Sequence, residues 1–350
     1  MTRLLVLASA ACLLLAGVGL PQARAAGMRA ACAGEALCQQ RFVTIGGIQQ
    51  WISIAGDDPA NPVLLLVHGG PGIPQWPEAE RFRPWEKYFT VVLWDQRGAG
   101  HTFGRYGTST PDVSLQRIAR DGVELSRYLC RTLGKKKIVV LGHSWGTLVA
   151  VHMVQRAPEL FAAYVGTGQM ADFHAGALIQ YRAILAKARA QHATAELQAL
   201  QALGSPDPAN DRQYNAYRKY LPTVLAPSDL AYLKEQKAAA PALIAAYPKE
   251  GPDVGAGAKF SHERLWPFVV QADLPQTAPA LGTAYFLIQG QKDMMAATPQ
   301  AVHYFKMVKA PYKSLVIIPN AGHFALMTAP DPFLDALVKK VRPLAISRGA

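Results

Sequence analysis

The sequence predicts an α/β fold in which a mostly parallel sheet carries helices on both faces. Several short apolar runs are continuous rather than alternating, which is typical of strands that are buried on both faces. Helical stretches separate these runs, and such an order places successive strands in parallel. A chain of 350 residues, 50% of them hydrophobic, is long enough to bury a sheet of this kind. The runs are Val63–Val67, Thr90–Trp94, Lys137–Leu141 and Tyr164–Thr167.

The first 41 residues precede this pattern. Arg3 gives a short positive start, an apolar run covers Leu4–Leu20, and Ala23-Arg24-Ala25 matches a small-residue cleavage site. We therefore expect residues 1–25 to be a cleaved signal peptide, so that the protein is exported, periplasmic or secreted, and has no membrane span after cleavage. Residues 26–41 are then an N-terminal leader segment. The alternative is an uncleaved membrane anchor, because the run is close to the length of about 18 residues that a spanning helix requires.

The cysteines and the net charge indicate which kinds of binding site the protein is not expected to have. Export permits a disulfide bond between Cys32 and Cys38, whereas Cys130 fits a buried thiol on an amphipathic helix. The sequence has no Cys-x-x-Cys pair and no His-Glu-x-x-His motif, so we expect neither a metal nor a cofactor. The net charge of +12 indicates a solvated basic surface and not nucleic-acid binding, because no nucleic-acid motif accompanies it.

A change of pattern divides the core into two parts. Residues 42–168 carry the first strands, and residues 275–350 carry the last ones. Between them, residues 169–274 are rich in Ala, Gln and Tyr, contain many prolines and lack strand-like runs. We interpret this segment as a helical cap over the mouth of the sheet, with a long helix over Leu178–Leu203 and Ser228 as the N-cap of another. The other predicted core elements are a hairpin (Phe42–Ile45 and Gln49–Ile54), a crossover helix (Ser114–Leu133), two strands (Ala284–Gln289 and Ser314–Ile318) and a final helix (Pro332–Val341).

One pentapeptide indicates chemistry. Gly142-His143-Ser144-Trp145-Gly146 lies between a predicted buried strand and a helix-compatible stretch. A serine on a sharp turn from a strand into a helix is called a nucleophile elbow. Glycines two positions before and after the serine allow the backbones of the strand and the helix to approach closely. We therefore predict that Ser144 is a catalytic nucleophile.

A serine hydroxyl needs a base, usually a histidine that a carboxylate orients. His323 lies in a glycine-containing loop just after a predicted strand, at the edge where an open parallel sheet presents its chemistry. Asp293 follows the preceding predicted strand and has the expected order in the chain, after the serine and before the histidine. Asp172, after Tyr164–Thr167, is the alternative acid.

Acyl transfer also needs donors for the developing oxyanion. We expect one donor to be the backbone N–H of Trp145, directly after the nucleophile. The second should come from the loop after Val63–Val67, His68-Gly69-Gly70-Pro71-Gly72, and we assign it to Gly70. We expect His68 to fix this loop by hydrogen bonds and not to act in catalysis.

Three motifs together resemble a known family. They are His68-Gly69-Gly70-Pro71-Gly72, Trp94-Asp95-Gln96-Arg97-Gly98-Ala99-Gly100 and Gly142-His143-Ser144-Trp145-Gly146, and they resemble the prolyl aminopeptidase (proline iminopeptidase) branch of the α/β-hydrolases. The resemblance implies an α/β-hydrolase fold with about eight strands and a helical cap after the sixth strand. It also implies structural roles for Asp95 and Arg97, and cap glutamates that hold the free amine of the substrate. Glu263 is the candidate for that amine contact, and a surface salt bridge is the alternative.

The leading hypothesis is an exported serine hydrolase that acts on a small molecule or a short peptide and releases an N-terminal residue. The alternative is a carboxylesterase or amidase for small apolar acyl groups, which needs no carboxylate to bind an amine. A non-catalytic binding protein with the same fold is a third interpretation. It is disfavoured because nucleophile, acid, base and oxyanion loop all occur in one chain.

Overall fold

The structure of the protein, a computed structural model, describes residues 37–207, 210–246 and 254–350. Within these residues, eight strands form one sheet in the order β1-β2-β4-β3-β5-β6-β7-β8. β2 is antiparallel to both of its neighbours, and all the other pairs are parallel. This confirms the predicted mostly parallel sheet. The strands are β1 (Leu37–Ile45), β2 (Ile48–Gly56), β3 (Val63–Val67), β4 (Thr90–Trp94), β5 (Ile138–His143), β6 (Phe161–Thr167), β7 (Ala284–Gly290) and β8 (Lys313–Ile318).

The N-terminal boundary of the core was predicted too late in the chain. β1 begins at Leu37 and pairs with β2 from Leu37 opposite Gly56 to Ile45 opposite Ile48. The last residues of the predicted leader segment 26–41 are therefore part of the sheet. Its polar sequence, with Gln39 and Gln40 in the first half of β1, shows no strand pattern because β1 is an edge strand whose first half is only partly buried. Pairing with β2 determines its conformation.

Helices cover both faces of the sheet. On one face α3 and α4 bury side chains such as Leu125 and Leu148, and on the other α1 and α13 bury Trp85 and Phe333. The helices are α1 (Arg83–Glu86), α2 (Gly100–Tyr106), α3 (Leu115–Thr132), α4 (Trp145–Arg156), α5 (Phe173–Ala190), α6 (Thr194–Leu203), α7 (Asp211–Arg218), α8 (Pro227–Ala246), α9 (Val254–Val270), α10 (Leu274–Thr277), α11 (Thr298–Met307), α12 (Ala325–Thr328), α13 (Pro330–Ala336) and α14 (Arg342–Ser347). Short 3₁₀ helices cover Trp76–Phe82, Gly107–Ser109, Pro158–Leu160 and Leu221–Val224, and a π-helical turn covers Leu337–Val341.

The cap consists of α5 to α9 and has a small apolar core of its own, which includes Tyr181, Leu200 and Tyr217. The predicted single helix Leu178–Leu203 is wrong. It is divided into α5 and α6 at His192, whose φ of +54° ends α5. The Tyr181 hydroxyl donates to the carbonyl of Leu200 at 2.8 Å, so α6 folds back against α5. Packing between the two helices divides a stretch whose local sequence is compatible with one helix.

The predicted N-cap at Ser228 is also wrong. α8 begins at Pro227, so Ser228 lies inside its first turn. Proline is favoured at the first position of a helix because its missing N–H is not needed there. This preference for Pro227 places the start of α8 ahead of the serine. The Ser228 hydroxyl is buried and has no hydrogen-bond partner among the described residues.

The structure describes only part of the region for which a signal peptide and a disulfide bond are predicted. The predicted signal peptide, residues 1–25, lies outside the described residues. Cys38 is disulfide-bonded, and its predicted partner Cys32 also lies outside them. Cys130 is a free, half-buried thiol, and burial raises its pKa. None of the helices in the described ranges is long and apolar enough to cross a membrane.

Gly146 in α4 lies too close to β3 to carry a side chain. A Cβ at Gly146 would lie 1.9 Å from the carbonyl oxygen of Val67, in the backbone of a central strand that has no room to move. We expect Gly146→Ala to lower the free energy of unfolding by about 1–3 kcal/mol or more. Chemical denaturation measures this change.

A second helical glycine provides the matched control. The nearest atom to a Cβ at Gly176, in α5, is 3.9 Å away. Gly176→Ala should therefore leave the free energy of unfolding unchanged or raise it by about 0.5–1 kcal/mol, because alanine restricts the unfolded chain. Equal stability of the two variants would contradict the close approach of α4 and β3.

Candidate active site

Ser144 lies on a strained turn between β5 and α4. Its φ of 55° and ψ of −123° are rare for a residue with a side chain, and such conformations cost of order 1–3 kcal/mol. Its backbone N–H donates to the carbonyl of Thr167 at 3.1 Å, and its carbonyl accepts from the N–H of Thr147 at 2.8 Å. A Cβ at Gly142 would lie 2.6 Å from the carbonyl oxygen of Gly146. The predicted sharp turn between strand and helix is therefore present, with both glycines in positions that require them.

His323 and Asp293 form a buried pair at the carboxyl ends of β8 and β7. His323 Nδ1 lies 3.0 Å from Asp293 Oδ2, and both side chains are buried. The same carboxylate oxygen accepts from Gln289 Nε2 at 2.8 Å. The other oxygen accepts from the backbone N–H groups of Met295 and Ala296, each at 2.9 Å. Three donors other than His323 thus fix the carboxylate, which in turn orients the imidazole.

This arrangement determines what the histidine can do. When Nδ1–H donates to Asp293, the other ring nitrogen is free to accept a proton. Burial lowers the pKa of His323, but the charge of Asp293 and the hydrogen bond to it outweigh burial and raise the pKa above its ordinary value, and Asp229 acts in the same sense. The alternative acid, Asp172, is instead the N-cap of α5 and accepts from the N–H of Ala175 at 2.8 Å.

Ser144 and His323 both lie beside the residues at the end of β6. The carbonyl of Thr167 holds the backbone of Ser144, and a Cβ on the next residue, Gly168, would lie 2.8 Å from Cε1 of His323. Within the described residues the Ser144 hydroxyl makes no hydrogen bond, and none joins it to His323. In enzymes without substrate, the hydrogen bond between a nucleophile and its base is often long or absent and tightens when substrate binds.

The predicted oxyanion loop, residues 68–72, lies against Ser144. A Cβ at Gly69 would lie 3.1 Å from the Cβ of Ser144, and Gly70 has a φ of +116° that suits glycine. Trp145 is the first residue of α4, where a backbone N–H has no intrahelical acceptor. The loop and the first turn of the helix are therefore adjacent to Ser144 from two sides.

His68 fixes the oxyanion loop, as predicted. Its Nδ1 is 2.9 Å from the carbonyl of Gly69, and its Nε2 accepts from the N–H of Gln96 at 3.3 Å. Burial lowers the pKa of His68 to about 4, so the ring is uncharged at neutral pH. A neutral ring with one donor and one acceptor satisfies both contacts.

Gln96 connects the oxyanion loop to the elbow, a role that the sequence analysis missed. Its side-chain Nε2 donates to the carbonyl of His68 at 3.0 Å, and its Oε1 accepts from the indole N–H of Trp145 at 3.1 Å. The side chain is buried, and both of its polar atoms are satisfied. The only sequence signal was its position between Asp95 and Arg97 in one of the three motifs.

His143 supports the histidine loop from the side of the elbow. Its Nε2 lies 3.2 Å from the carbonyl of His323, and the two rings are 5.0 Å apart. Burial, reinforced by the charge of His323, lowers the pKa of His143 to about 3. The ring is therefore neutral, so Nε2–H donates to that carbonyl without adding charge to the site.

Asp95 and Arg97 hold loops in place, as the resemblance implied. Arg97 forms a buried ion pair with Asp121 at 2.8 Å and donates to the carbonyl of Gly46 in the hairpin turn. Asp95 Oδ2 accepts from both the backbone N–H and the Nδ1 of His101, each at 2.8 Å. Among the described residues, neither side chain forms a hydrogen bond or an ion pair with Ser144 or His323.

Glu263 is not brought into this site. It is exposed on α9, and its carboxylate pairs with Lys259 one turn earlier at 2.6 Å. The ion pair lowers the pKa of Glu263. The surface salt bridge that the sequence left open is therefore the observed arrangement, because an exposed i,i+4 pair satisfies the carboxylate where it lies.

The site offers acid–base and nucleophilic groups. Within the described ranges, no group of three His, Cys, Asp or Glu side chains is arranged to hold a metal ion. A serine on a strained turn, a histidine oriented by a carboxylate and nearby backbone N–H groups are groups that acyl transfer can use.

Comparisons with known proteins agree with this geometry. A family model described as the alpha/beta hydrolase fold matches residues 62–330. The chain is 26% identical over 317 residues to the probable aminopeptidase YbaC of Bacillus subtilis, an alignment that covers 88% of this chain and 98% of that protein. A probable proline iminopeptidase of Streptomyces coelicolor is 32% identical over 119 residues, which is 33% of this chain and 36% of that protein.

Solved structures share the fold. A proline iminopeptidase-related protein of Thermus thermophilus superposes with a TM-score of 0.63 at 20% identity, covering 89% of this chain and 98% of that chain. An esterase of Thermogutta terrifontis superposes with a TM-score of 0.54 at 18% identity, covering 89% and 100%. The chain therefore belongs to the α/β-hydrolase fold family, and within it the chain is similar to the prolyl aminopeptidases.

Proposed function

We propose that the protein is an exported serine hydrolase that works through an acyl-enzyme. Ser144 is the nucleophile, His323 the general base and Asp293 the acid that orients it. The observation that carries this proposal is the strained backbone of Ser144 beside the buried His323–Asp293 pair at 3.0 Å. A fold without this chemistry has no need to keep a serine in a conformation that costs of order 1–3 kcal/mol.

The first half of the reaction forms the acyl-enzyme. Ser144 Oγ attacks the substrate carbonyl carbon while His323 Nε2 takes the hydroxyl proton. Asp293 keeps Nδ1–H in place and stabilises the imidazolium that forms. The tetrahedral intermediate then collapses, the bond to the leaving group breaks, and His323 returns the proton to the leaving amine or alcohol.

The second half returns the free enzyme. Water attacks the acyl carbon, His323 accepts its proton, and the Ser144 ester bond breaks as that proton passes to Oγ. In both halves, the backbone N–H groups of Trp145 and Gly70 donate to the oxyanion. Oxyanion donors are worth about 10²–10³-fold in kcat, because they are preorganised for charge that develops only in the transition state.

The favoured substrate is a short peptide from which an N-terminal residue, proline in particular, is released. The support is similarity to proteins named as aminopeptidases and proline iminopeptidases over most of the chain or about a third of it.

The alternative is hydrolysis of esters or amides of small apolar acids. Three carboxylates in the described part of the cap are engaged away from a substrate amine, which favours this alternative. Glu263 pairs with Lys259, Glu235 pairs with Arg81, and Asp229 accepts from backbone N–H groups of the histidine loop.

Replacing Ser144 tests the nucleophile. We expect Ser144→Ala to reduce kcat by about 10⁴-fold or more on any substrate that the native protein turns over, because the acyl-enzyme cannot form. Its melting temperature should stay close to the native value. Ser347→Ala, at an exposed serine in α14, is the control and should have native activity. Near-native turnover by the Ser144 variant would remove this residue from its role.

A set of three substrates distinguishes the two substrate classes. Prolyl-naphthylamide carries a free amine, its N-acetyl derivative lacks one, and a short-chain nitrophenyl ester needs no amine contact. An aminopeptidase should cleave the first compound and discriminate strongly against the second, because a pocket that binds an ammonium rejects the neutral amide. Cleavage of the ester alone would contradict the aminopeptidase assignment and support the esterase.

Export rests on the sequence of residues 1–25 alone. A leader with a positive start, an apolar run and an Ala-x-Ala site is removed during secretion. N-terminal sequencing of the protein recovered from the periplasm or medium should begin at Ala26. A sequence that begins at Met1, or recovery only from the cell membrane, would contradict the proposal.

A further inference from the structure

The first turn of the cap helix α8 reaches into the loop that carries His323. We call residues 320–324 the histidine loop. Asp229 is buried and accepts from the backbone N–H of His323 at 2.7 Å through Oδ2 and from that of Phe324 at 3.2 Å through Oδ1. A carboxylate that accepts two adjacent backbone N–H groups fixes their orientation, and such charge-assisted bonds are stronger than neutral ones. The cap therefore holds the backbone of the residue proposed as the base.

The contact between Asp229 and the histidine loop leaves no space for a side chain at Gly322. A Cβ at Gly322 would lie 2.0 Å from Oδ2 of Asp229, so glycine is required there for the carboxylate to approach. One turn further along α8, the ring of Tyr232 packs on Phe324 with a centroid distance of 4.5 Å. Two successive turns of α8 thus contact successive parts of the histidine loop.

α8 is also fixed to the segment that follows the oxyanion loop. The hydroxyl of Tyr232 lies 2.8 Å from both carboxylate oxygens of Glu78, and Gln236 Nε2 donates to Oε1 of the same residue at 2.8 Å. Glu78 is in the 3₁₀ helix Trp76–Phe82, and burial raises its pKa. One helix of the cap therefore contacts both the base loop and the continuation of the oxyanion loop.

The charge of Asp229 faces the catalytic pair. Burial raises the pKa of Asp229, whereas the backbone N–H and the charge of His323 lower it, and Asp293 raises it further. His323 in turn is faced by Asp293, by Asp229 and by the ring of His143. The negative charge of Asp229 helps to raise the pKa of the base.

We propose that Asp229 is a positioning residue through which the cap holds the catalytic histidine loop, so that the base is aligned only while α8 is docked. The proposal rests on the proposed function, since it concerns the alignment of His323 as the base of that reaction. Asp229 acts through the backbone of His323 and Phe324 and does not contact the reacting atoms. The cap thereby contributes to catalysis as well as to the enclosure of substrate.

Asp229→Asn tests this role in the full chain. The amide keeps one acceptor oxygen but turns an N–H₂ group toward a backbone N–H, and it removes the charge. We expect kcat to fall by about 10- to 100-fold, since small misplacements of a catalytic group have effects of this size. KM should change by less than about threefold. The fall in kcat should be the same for every substrate that the native protein cleaves, whether that is the ester, prolyl-naphthylamide or both.

The pH profile is the readout that a merely structural role would not move. The base works when neutral, and its pKa is raised above the ordinary 6.5, so kcat/KM should fall as pH drops through a value above 6.5. Removing the charge of Asp229 takes away one influence that raises this pKa. The acidic limb of Asp229→Asn should therefore lie at lower pH than that of the native protein.

Two further variants complete the design. Asp273→Asn is the matched control, because Asp273 also accepts a backbone N–H, that of Gln276 in its own helix α10, and should keep native kcat and the native pH profile. If Asp229→Asn does not fold, Asp229→Ser keeps a short acceptor in the first turn of α8 and should give the same loss of kcat. Native kcat with an unchanged acidic limb in a folded variant would overturn the proposal. A loss confined to the free-amine substrate would also overturn it and make Asp229 an amine contact.

One measurement remains decisive even when no substrate is turned over. The proton between His323 Nδ1 and Asp293 gives a low-field ¹H NMR resonance that reports the alignment of the ring. We expect Asp229→Asn to shift or broaden this resonance and Asp273→Asn to leave it unchanged. An unchanged resonance in Asp229→Asn would overturn the positioning role, whereas a native protein without hydrolytic activity would count against the proposed function alone.

Discussion

The close approach of α4 to β3 is the constraint on which the rest of the site depends. Gly146 packs directly on the carbonyl of Val67, and this contact presses the helix onto the sheet one residue after Trp145. The turn at Ser144 must then be sharp enough to reverse the chain within one residue, and the strained φ of 55° is the consequence. α4 buries its own side chains, such as Leu148 and Val149, in the core, and this burial offsets the cost of that strain. Because the elbow is rigid, the loops that follow β3, β4 and β6 have a fixed surface against which to pack.

Buried glutamine side chains connect the other parts of the site by hydrogen bonds. Gln96 ties the oxyanion loop to Trp145, and Gln289 ties Asp293 to the end of β7. A glutamine has both a donor and an acceptor, so it satisfies two different neighbours without adding charge to a site that already holds Asp293 and a chargeable His323. Fully satisfied buried networks of this kind hold a unique geometry, whereas a missing partner leaves a costly unpaired group. The site therefore depends on neutral side chains as much as on the three proposed catalytic residues.

The sequence predicted the core and the pairing of His323 with Asp293 well, because both follow from local strand patterns. Ser144, Asp293 and His323 lie one, three and five residues after the ends of β5, β7 and β8. Parallel strands bring their carboxyl ends to one edge of the sheet. The cap was predicted less well, because its geometry arises from contacts between distant residues. The break at His192 depends on packing of α6 on α5, and Asp229 accepts a hydrogen bond from a loop 94 residues later in the chain. The family resemblance does not extend to the surroundings of Glu263, whose exposed pairing with Lys259 depends only on the helix that carries both residues.

The central claim is that Ser144 is activated by the His323–Asp293 pair. Reaction of the purified protein with a fluorophosphonate, followed by mass mapping of the adduct, tests it directly, because this reagent phosphonylates activated serines and leaves ordinary hydroxyls unmodified. We predict a single adduct on Ser144 in the native protein and none at that position in His323→Ala. An adduct on another serine, or no adduct in a protein shown to be folded, would contradict the account.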